Sequence, residues 1–350
     1  MGGYKVKKWD ISPKTKKVLL IVLISVLSLI LVTLIAGFIY MDSMLNLINK
    51  NPDDSTMSSQ EVSEFLENED DDPIDPSFTG TVGTDSDEEE LVYVPLNGDD
   101  NIINIMLIGQ DRLPGEGRTR SDTMILLTVN KKTKEMTMTS FMRDMYVSIP
   151  GYEKNKLNAT YAFGGMKLLN KTLAMNFGVH VDGNIEVDFD GFTKVVDMVG
   201  GIDIKLTSAE AAYLVKNGHE AQAGMNHLDG AAALVYARDR SSGGSDFGRT
   251  QRQRNVLNLI FEKCKNMNLV QLNNLLTNIL PMVTTDLSNK QILSYLSDVF
   301  PLLSGANIKT QSIPADGTYE YGYSDKGRSV LFVDFEANRD ILKKVNGVKQ

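Results

Sequence analysis

The hydrophobic pattern divides the chain into three regimes. Residues 18–40 are 23 consecutive positions without a charge, long enough to cross a bilayer with some tilt. Residues 42–100 lose nearly all apolar periodicity. From Ile102 onward, apolar runs and helical spacing alternate almost to the C-terminus.

The ordered part begins with three predicted strands. Residues 102–108 are a short apolar run ending in Gly109-Gln110-Asp111, the pattern of a buried strand that delivers a carboxylate at its tip. After a polar loop, Asp122 leads into a second buried strand over 123–129. The tetrapeptide Lys131-Lys132-Thr133-Lys134 turns into a third over 136–142, which ends at Arg143-Asp144. If the middle strand runs antiparallel to both neighbours, Asp111, Asp122 and Arg143 share one sheet edge.

Helical spacing follows over 156–177 (Leu157, Tyr161, Leu168, Leu169, Leu173), with Gly178 as a stop. Then come a strand at 186–189, a short helix at 191–199, a strand at 202–206 and a helix capped by Ser208. Asp229 opens another helix. A long helix over 248–266 carries Val256, Leu257, Ile260, Phe261 and Cys264 inward. Helices at 270–280 and 289–303, strands and loop over 308–333, and a helix at 336–345 finish the chain. Such alternation predicts an α/β or α+β sandwich.

Charge sharpens the division. The formal net charge is −9, but residues 1–17 hold six Lys against one Asp, and residues 42–100 hold 18 Asp and Glu against Lys50 alone. Residues 101–350 carry 29 Lys and Arg against 26 Asp and Glu, about three positive charges. The basic flank before the apolar span predicts residues 1–17 as a cytoplasmic tail, 18–40 as an uncleaved transmembrane signal anchor, and everything beyond as extracellular. Residues 41–100 lack the apolar surface to fold alone and read as an acidic disordered stalk. The single Cys264 excludes an intrachain disulfide framework, and His180, His219 and His227 show no metal-ligand spacing. The topology and the near-neutral charge of the 101–350 domain exclude nucleic acid as a partner.

Arginine is rationed. Of 11 Arg, five lie between Arg238 and Arg254, and four more at Arg112, Arg118, Arg120 and Arg143, whereas the general charged surface uses 25 Lys. The guanidinium fork grips two phosphate oxygens at once and keeps its charge. The pattern therefore predicts an anion site, read as a pyrophosphate site. Arg249 and Gln253 are one turn apart on the long helix, with Arg252 between them, and that helix's first free N–H groups would add to the site. Arg238 and Arg240 face the same way only if the chain there is extended. Asp111 and Asp122 beside these arginines suit a divalent ion such as Mg²⁺, which takes one or two carboxylates plus substrate phosphate oxygens.

The order GQDR, GRTRSDTMILLTVN, SFMRD, KLNATYAFGG, VDFDGF, HLDGAAALVYARDR and DFGRTQRQ resembles the LytR–CpsA–Psr (LCP) family of Gram-positive cell-wall proteins, densely over residues 102–265. The resemblance implies an α/β/α sandwich with a mixed central sheet, preceded by one transmembrane helix, on the outer face of the cell membrane. It implies a phosphotransferase that moves an anionic glycopolymer, such as teichoic acid or capsule, from an undecaprenyl-pyrophosphate carrier to peptidoglycan. By motif, Asp111 and Asp122 would help hold Mg²⁺ or Mn²⁺. Arg120, Arg143, Arg238, Arg240 and Arg249 would grip phosphate oxygens with Gln253 assisting, and Lys156 and Tyr161 would line the head-group region. The catalytic pair would be Asp122 and Arg143, with the proton of the sugar hydroxyl passing either to an Asp such as Asp122 or to an oxygen linked to the metal. Two positions depart from the pattern: Met142 stands where the family has Pro, and Gln110 where it has a small residue. Two alternatives remain, an extracellular lipid-pyrophosphate hydrolase and a non-enzymatic anion-binding regulator.

Overall fold

The computed structural model describes residues 31–33, 35–50, 52–67, 81–82, 93–110, 118–303 and 308–346. It comprises two units, residues 1–47 and 48–350. In the first, the described residues 31–33 and 35–45 are helical (α1). Most of the expected span over 18–40 lies outside the described residues. Among those described, no helix is long and apolar enough to cross a membrane.

The second unit opens with α2 (Ser59–Glu67) and the short β1 (Thr81–Val82). The three strands expected from the apolar runs follow as β2 (Ile102–Gln110), β3 (Ser121–Asn130) and β4 (Glu135–Phe141). A hairpin, β5 (Tyr146–Ile149) and β6 (Tyr152–Lys156), leads into α3 (Leu157–Phe177), β7 (Gly183–Asp188) and α4 (Phe189–Met198). Next come β8 (Ile202–Leu206), α5 (Ser208–Lys216), β9 (Gly224–Leu228), α6 (Gly230–Arg238) and α7 (Ser245–Lys265). The chain ends with α8 (Leu269–Ile279), β10 (Val283–Thr285), α9 (Asn289–Leu303), β11 (Ile308–Ile313), β12 (Tyr319–Tyr323), β13 (Ser329–Val333) and α10 (Phe335–Asn346).

Six strands form a mixed central sheet in the order β10-β7-β2-β3-β4-β11. The middle strand β3 is antiparallel to β2 and β4, the arrangement that places Asp122 and Arg143 at one sheet edge, while β7 and β11 add parallel to β2 and β4. Alternation along each strand sends side chains to both faces. Met106, Ile108, Met124 and Leu126 pack against Leu157, Leu169 and Phe177 of α3 and Leu342 of α10. Ile103, Ile105, Leu127, Val129 and Met136 pack instead against Phe261 of α7 and Tyr295, Val299 and Leu302 of α9. Helices therefore cover both faces, and the sandwich has three layers. A second apolar cluster, with Val196, Ile202, Leu214, Leu228, Tyr236 and Val256, joins α4 to α7 through the β8–β9 hairpin.

The four strands β7, β2, β4 and β11 point the same way. Gln110 pairs with Asp188, and Ile313 with Phe141, so their C-terminal ends lie along one edge. Ligands of open α/β sheets bind outside that edge.

Part of the expected stalk is ordered, contrary to its composition. Arg118, with a side chain only 5% exposed, donates to the carbonyls of Asp53, Ser55 and Ala162 and pairs with the Asp53 carboxylate at 3.2 Å. The Met57 amide donates to the Phe163 carbonyl at 2.8 Å, and the Tyr152 hydroxyl to the Met57 carbonyl at 2.7 Å. α2 starts with a capping box, Ser58 with Glu61. It lays Val62, Phe65 and Leu66, spaced as one helical face, on the main core, with Phe65 edge-on to Phe163 at 6.2 Å. Within α3, Gly165 takes a φ of +62° where Asp53 and Asp54 pass, and a Cβ there would strike the Asp53 carbonyl.

Candidate functional site

The site lies at the sheet edge where β3 begins and β4 ends. Asp122 is the second residue of β3, and Arg143 is two residues beyond β4. Their side chains meet: Arg143 Nη1 donates to Asp122 Oδ1 at 2.8 Å. The Arg143 Nε lies 3.4 Å from Asp144 Oδ2 and 3.8 Å from Asp246 Oδ1. Burial works to lower the pKa of Arg143, but Asp144, Asp246 and Asp122 more than offset it, and the net direction is up.

The backbone fixes Arg143 from two directions. The Met142 amide donates to the Ile313 carbonyl at 2.8 Å, and the Asn158 amide at the start of α3 donates to the Arg143 carbonyl at 3.2 Å. Lys156, just before α3, sets its ammonium 3.6 Å from Asp144 Oδ1. Tyr161, expected beside it in the head-group region, turns into the molecule. It is buried, and its hydroxyl donates to the Glu186 carboxylate on β7.

The long helix α7 supplies the other side. It starts at Ser245, a turn earlier than its hydrophobic spacing indicates, so Asp246 lies in its first turn rather than ahead of it. The entry is tight: Gly244 takes a φ of +76°, and a Cβ on Gly248 would strike the Gly243 carbonyl. Asp246 Oδ2 accepts from Arg249 Nη2 at 2.9 Å, the i,i+3 pairing of one helix face. Arg249 also reaches Asp122 Oδ1 with Nη1 at 3.9 Å. Arg240 Nε lies 3.7 Å from Asp246 Oδ1. The Arg249 side chain is 3% exposed, and burial pushes its pKa down to about 10, so it remains cationic at neutral pH. Gln253, one turn on, has a buried Oε1 without a hydrogen-bond partner.

Arg143, Arg240, Arg249, Lys156, Asp122, Asp144 and Asp246 thus form one connected network, from segments that span residues 122–249. Asp144 and Asp246 are the members that residue-type reasoning passed over. The signals available for them were the Arg143-Asp144 dipeptide and the three-residue spacing from Asp246 to Arg249.

Other predicted residues have different places. Arg252 does not join Arg249 on a donor face. It is buried, donating to the Asp239 carbonyl at 2.5 Å, the Gly243 carbonyl at 3.5 Å and Glu210 at 3.4 Å, and so pins the 239–244 loop to α7 and α5. Asp239, at the end of α6, is extended rather than helical and accepts from the Ser241 and Ser242 amides at 2.8 and 3.1 Å, shaping the loop that carries Arg240. Arg254 is buried and donates to Ser312 and Gln251. Arg238 lays its guanidinium over the Phe189 ring at 4.5 Å, where β7 passes into α4. Arg120 lies over Phe65 of α2 at 5.8 Å. Gln110 is buried and donates to the Thr119 carbonyl at 3.0 Å, closing the base of the 111–120 loop. Asp111 lies outside the described residues.

Among the described residues no group of three or more His, Cys, Asp or Glu could by itself hold a metal ion. The donor chemistry suits a different arrangement. The ion pairs join four cationic groups to three carboxylates, an excess of one positive charge. A doubly charged pyrophosphate diester would turn that excess into a deficit of one, which a divalent cation shared between phosphate oxygens and one or two carboxylates would cover.

A model of the LytR_cpsA_psr family matches residues 75–349. The regulatory protein MsrR of Staphylococcus aureus (strain Mu50 / ATCC 700699) is 32% identical over 248 residues, which cover 70% of this chain and 74% of MsrR. The polyisoprenyl-teichoic acid–peptidoglycan teichoic acid transferase TagU of Bacillus mycoides is 33% identical over 246 residues, 69% of this chain and 77% of TagU. Among solved structures, the LytR-CPS2A-psr family protein YwtF (TagT) of Bacillus subtilis, with bound octaprenyl pyrophosphate lipid, superposes with a TM-score of 0.56 at 27% identity, over 75% of this chain and 98% of that one.

Proposed function

This chain belongs to the LytR_cpsA_psr family, and on that premise we propose that it is a phosphotransferase moving an anionic glycopolymer from an undecaprenyl-pyrophosphate carrier to peptidoglycan. The convergence of Arg143, Arg240 and Arg249 on Asp122 and Asp246 carries this reading. The carboxylates hold the guanidinium forks in place, so little reorganisation accompanies ligand entry. TagU is named as a teichoic acid transferase, and the YwtF structure holds octaprenyl pyrophosphate.

In the proposed reaction the pyrophosphate lies against Arg143, Arg240, Arg249 and Lys156, with Arg120, Arg238 and the Gln253 side-chain amide N–H as further donors. A hydroxyl oxygen of the acceptor sugar forms a bond to the phosphorus that bears the polymer. The bond from that phosphorus to the bridging oxygen breaks, and polyprenyl phosphate leaves with the electron pair. Asp122 takes the hydroxyl proton, and the guanidiniums neutralise charge on the bridging oxygen as it departs. Asp122, together with Asp111, would hold Mg²⁺ or Mn²⁺, which supplies further charge neutralisation at the phosphates when bound.

The membrane placement belongs to the same proposal. The uncharged stretch over 18–40 follows six Lys, and Leu31, Val32, Ile35, Phe38 and Ile39 are exposed apolar side chains on α1. A lipid-borne substrate and an anchored enzyme then share one surface, with the catalytic unit outside.

A second reading has one observation in its favour, since MsrR is named a regulatory protein. Supplying full-length protein with labelled polyprenyl-pyrophosphate-linked glycopolymer, with and without peptidoglycan, separates the possibilities. Polymer joined to peptidoglycan supports the transferase. Phosphate release that ignores the acceptor supports a hydrolase, and binding without turnover a regulator.

A further inference from the structure

The carboxylates of the site also line a second, differently built surface. Phe247 follows Asp246 in the first turn of α7 and stacks on Tyr319 of β12, with centroids 4.9 Å apart and planes at 27°. Tyr319 meets Tyr321 edge-on at 5.6 Å and 82°. The two tyrosines are two residues apart on one strand and share a face. Tyr321 is 57% exposed.

A cavity opens on each side of this aromatic step. One, of about 240 Å³, is walled by Asp144, Asp246, Phe247 and Tyr321. The other, of about 320 Å³, is walled by Phe247, Gln251, Arg254, Gln311 and Asp316. Phe247 is the shared wall. The first cavity therefore touches the ion-pair network through Asp144 and Asp246, and the second leads away from it.

The lining discriminates among ligands. The Asp144 and Asp246 carboxylates in the first cavity and Asp316 in the second oppose a phosphate-rich polymer. Arg254 in the second is buried and engaged by Ser312 and Gln251. Burying carboxylates against a prenyl chain would strip their hydration without replacing it. A sugar ring meets neither objection. Its C–H face packs on an aromatic ring, and its hydroxyls donate to carboxylate and amide oxygens. Successive rings of a glycan could occupy the two cavities across the Phe247 ridge, with the ring in the first presenting a hydroxyl toward the Asp122–Arg143 pair.

We propose that the Phe247–Tyr319–Tyr321 step and its two flanking cavities seat the acceptor glycan strand. This rests on the transferase reading and assigns its second substrate a site. The test uses full-length protein in detergent micelles and two probes measured separately: an uncrosslinked peptidoglycan tetrasaccharide and octaprenyl pyrophosphate. Tyr321→Ala should weaken the tetrasaccharide by roughly tenfold, leave octaprenyl pyrophosphate binding unchanged, and be rescued by Tyr321→Trp. Phe247→Leu, which keeps an apolar plug beneath Tyr319, should weaken the tetrasaccharide as well. Unchanged tetrasaccharide affinity in both Tyr321→Ala and Phe247→Leu overturns the subsite, as does wild-type protein that binds the lipid but no tetrasaccharide. Tyr321-dependent glycan binding without any lipid binding would retain the saccharide subsite and remove the transferase reading instead.

Discussion

Arg249 and Asp246 share one turn of α7, and the same guanidinium that donates to Asp246 at 2.9 Å reaches Asp122 on β3 at 3.9 Å. One side chain thus ties the helix to the sheet edge while presenting its fork to the site. Replacing it by alanine leaves two carboxylates short of their counterion in a largely buried setting. Arg249→Ala should lose about 3 kcal/mol of stability and about a hundredfold in glycopolymer transfer. Arg249→Lys should recover part of the stability but little of the transfer, because an ammonium cannot replace the planar fork. Denaturant unfolding and transfer assays on both variants check this.

Arg252, three residues on, should behave differently. Its guanidinium is spent on Glu210 and the carbonyls of Asp239 and Gly243. Arg252→Ala should cost about 3 kcal/mol of stability, while transfer at a permissive temperature falls far less than in Arg249→Ala. Equal catalytic losses in the two variants would show that Arg252 also touches substrate.

These two arginines mark how far the sequence could be read. The three strands were legible because each is an apolar run with a charge at one end; their antiparallel order was only a condition there, and the sheet register supplies it. Both helix-covered faces of the sheet agree with the sandwich expected from the family motifs. Which arginine faces the site was not legible. Arg249 and Arg252 differ only in their tertiary neighbours, and Glu210 lies 42 positions away from Arg252. The true start of α7 was hidden by Gly243-Gly244, which read as loop, and by Gly248, which reads as the helix start until its tight packing on Gly243 is seen. The ordered 52–67 segment was hidden by composition. Its apolar residues Met57, Val62, Phe65 and Leu66 are sparse among acidic ones, and their partners Arg118 and Phe163 are distant in sequence. The β5–β6 and β8–β9 hairpins are short and polar on one side, too weak a pattern for β5, β6 and β9 to stand out.

Met142 occupies a position where the family pattern has proline, and its amide donates to the Ile313 carbonyl at 2.8 Å. Met142→Pro removes that donor and the packing of a fully buried side chain, and should cost about 3 kcal/mol. Transfer should persist, because the Arg143 carbonyl is still held by the Asn158 amide. The midpoint of denaturant unfolding and the transfer rate together test the separation.

His180 gives the fold a pH signature. Its ring lies 3.4 Å from Asp182 Oδ1, and the hydrogen bond to Asp182, acting against burial, raises its pKa above 6.5. The unfolded chain loses this partner. The stabilisation is therefore complete below the unfolded pKa and is lost as pH rises through the raised folded value. The melting temperature should fall between about pH 6 and about pH 8, and His180→Gln should flatten that slope. A wild-type profile already flat over this range would contradict the assignment.

The central claim is that separated guanidinium groups converge to hold a pyrophosphate. Arg240 offers the cleanest probe, since its side chain is 51% exposed and its loss leaves the core packing intact. The direct measurement is equilibrium binding of octaprenyl pyrophosphate to full-length wild type, Arg240→Ala and Arg143→Ala/Arg240→Ala, each first shown to be folded by its unfolding transition. Saturable binding by wild type, weakened in the single variant and abolished in the double, is the expected result. Equal affinity in all three, or none in the wild type, would contradict it.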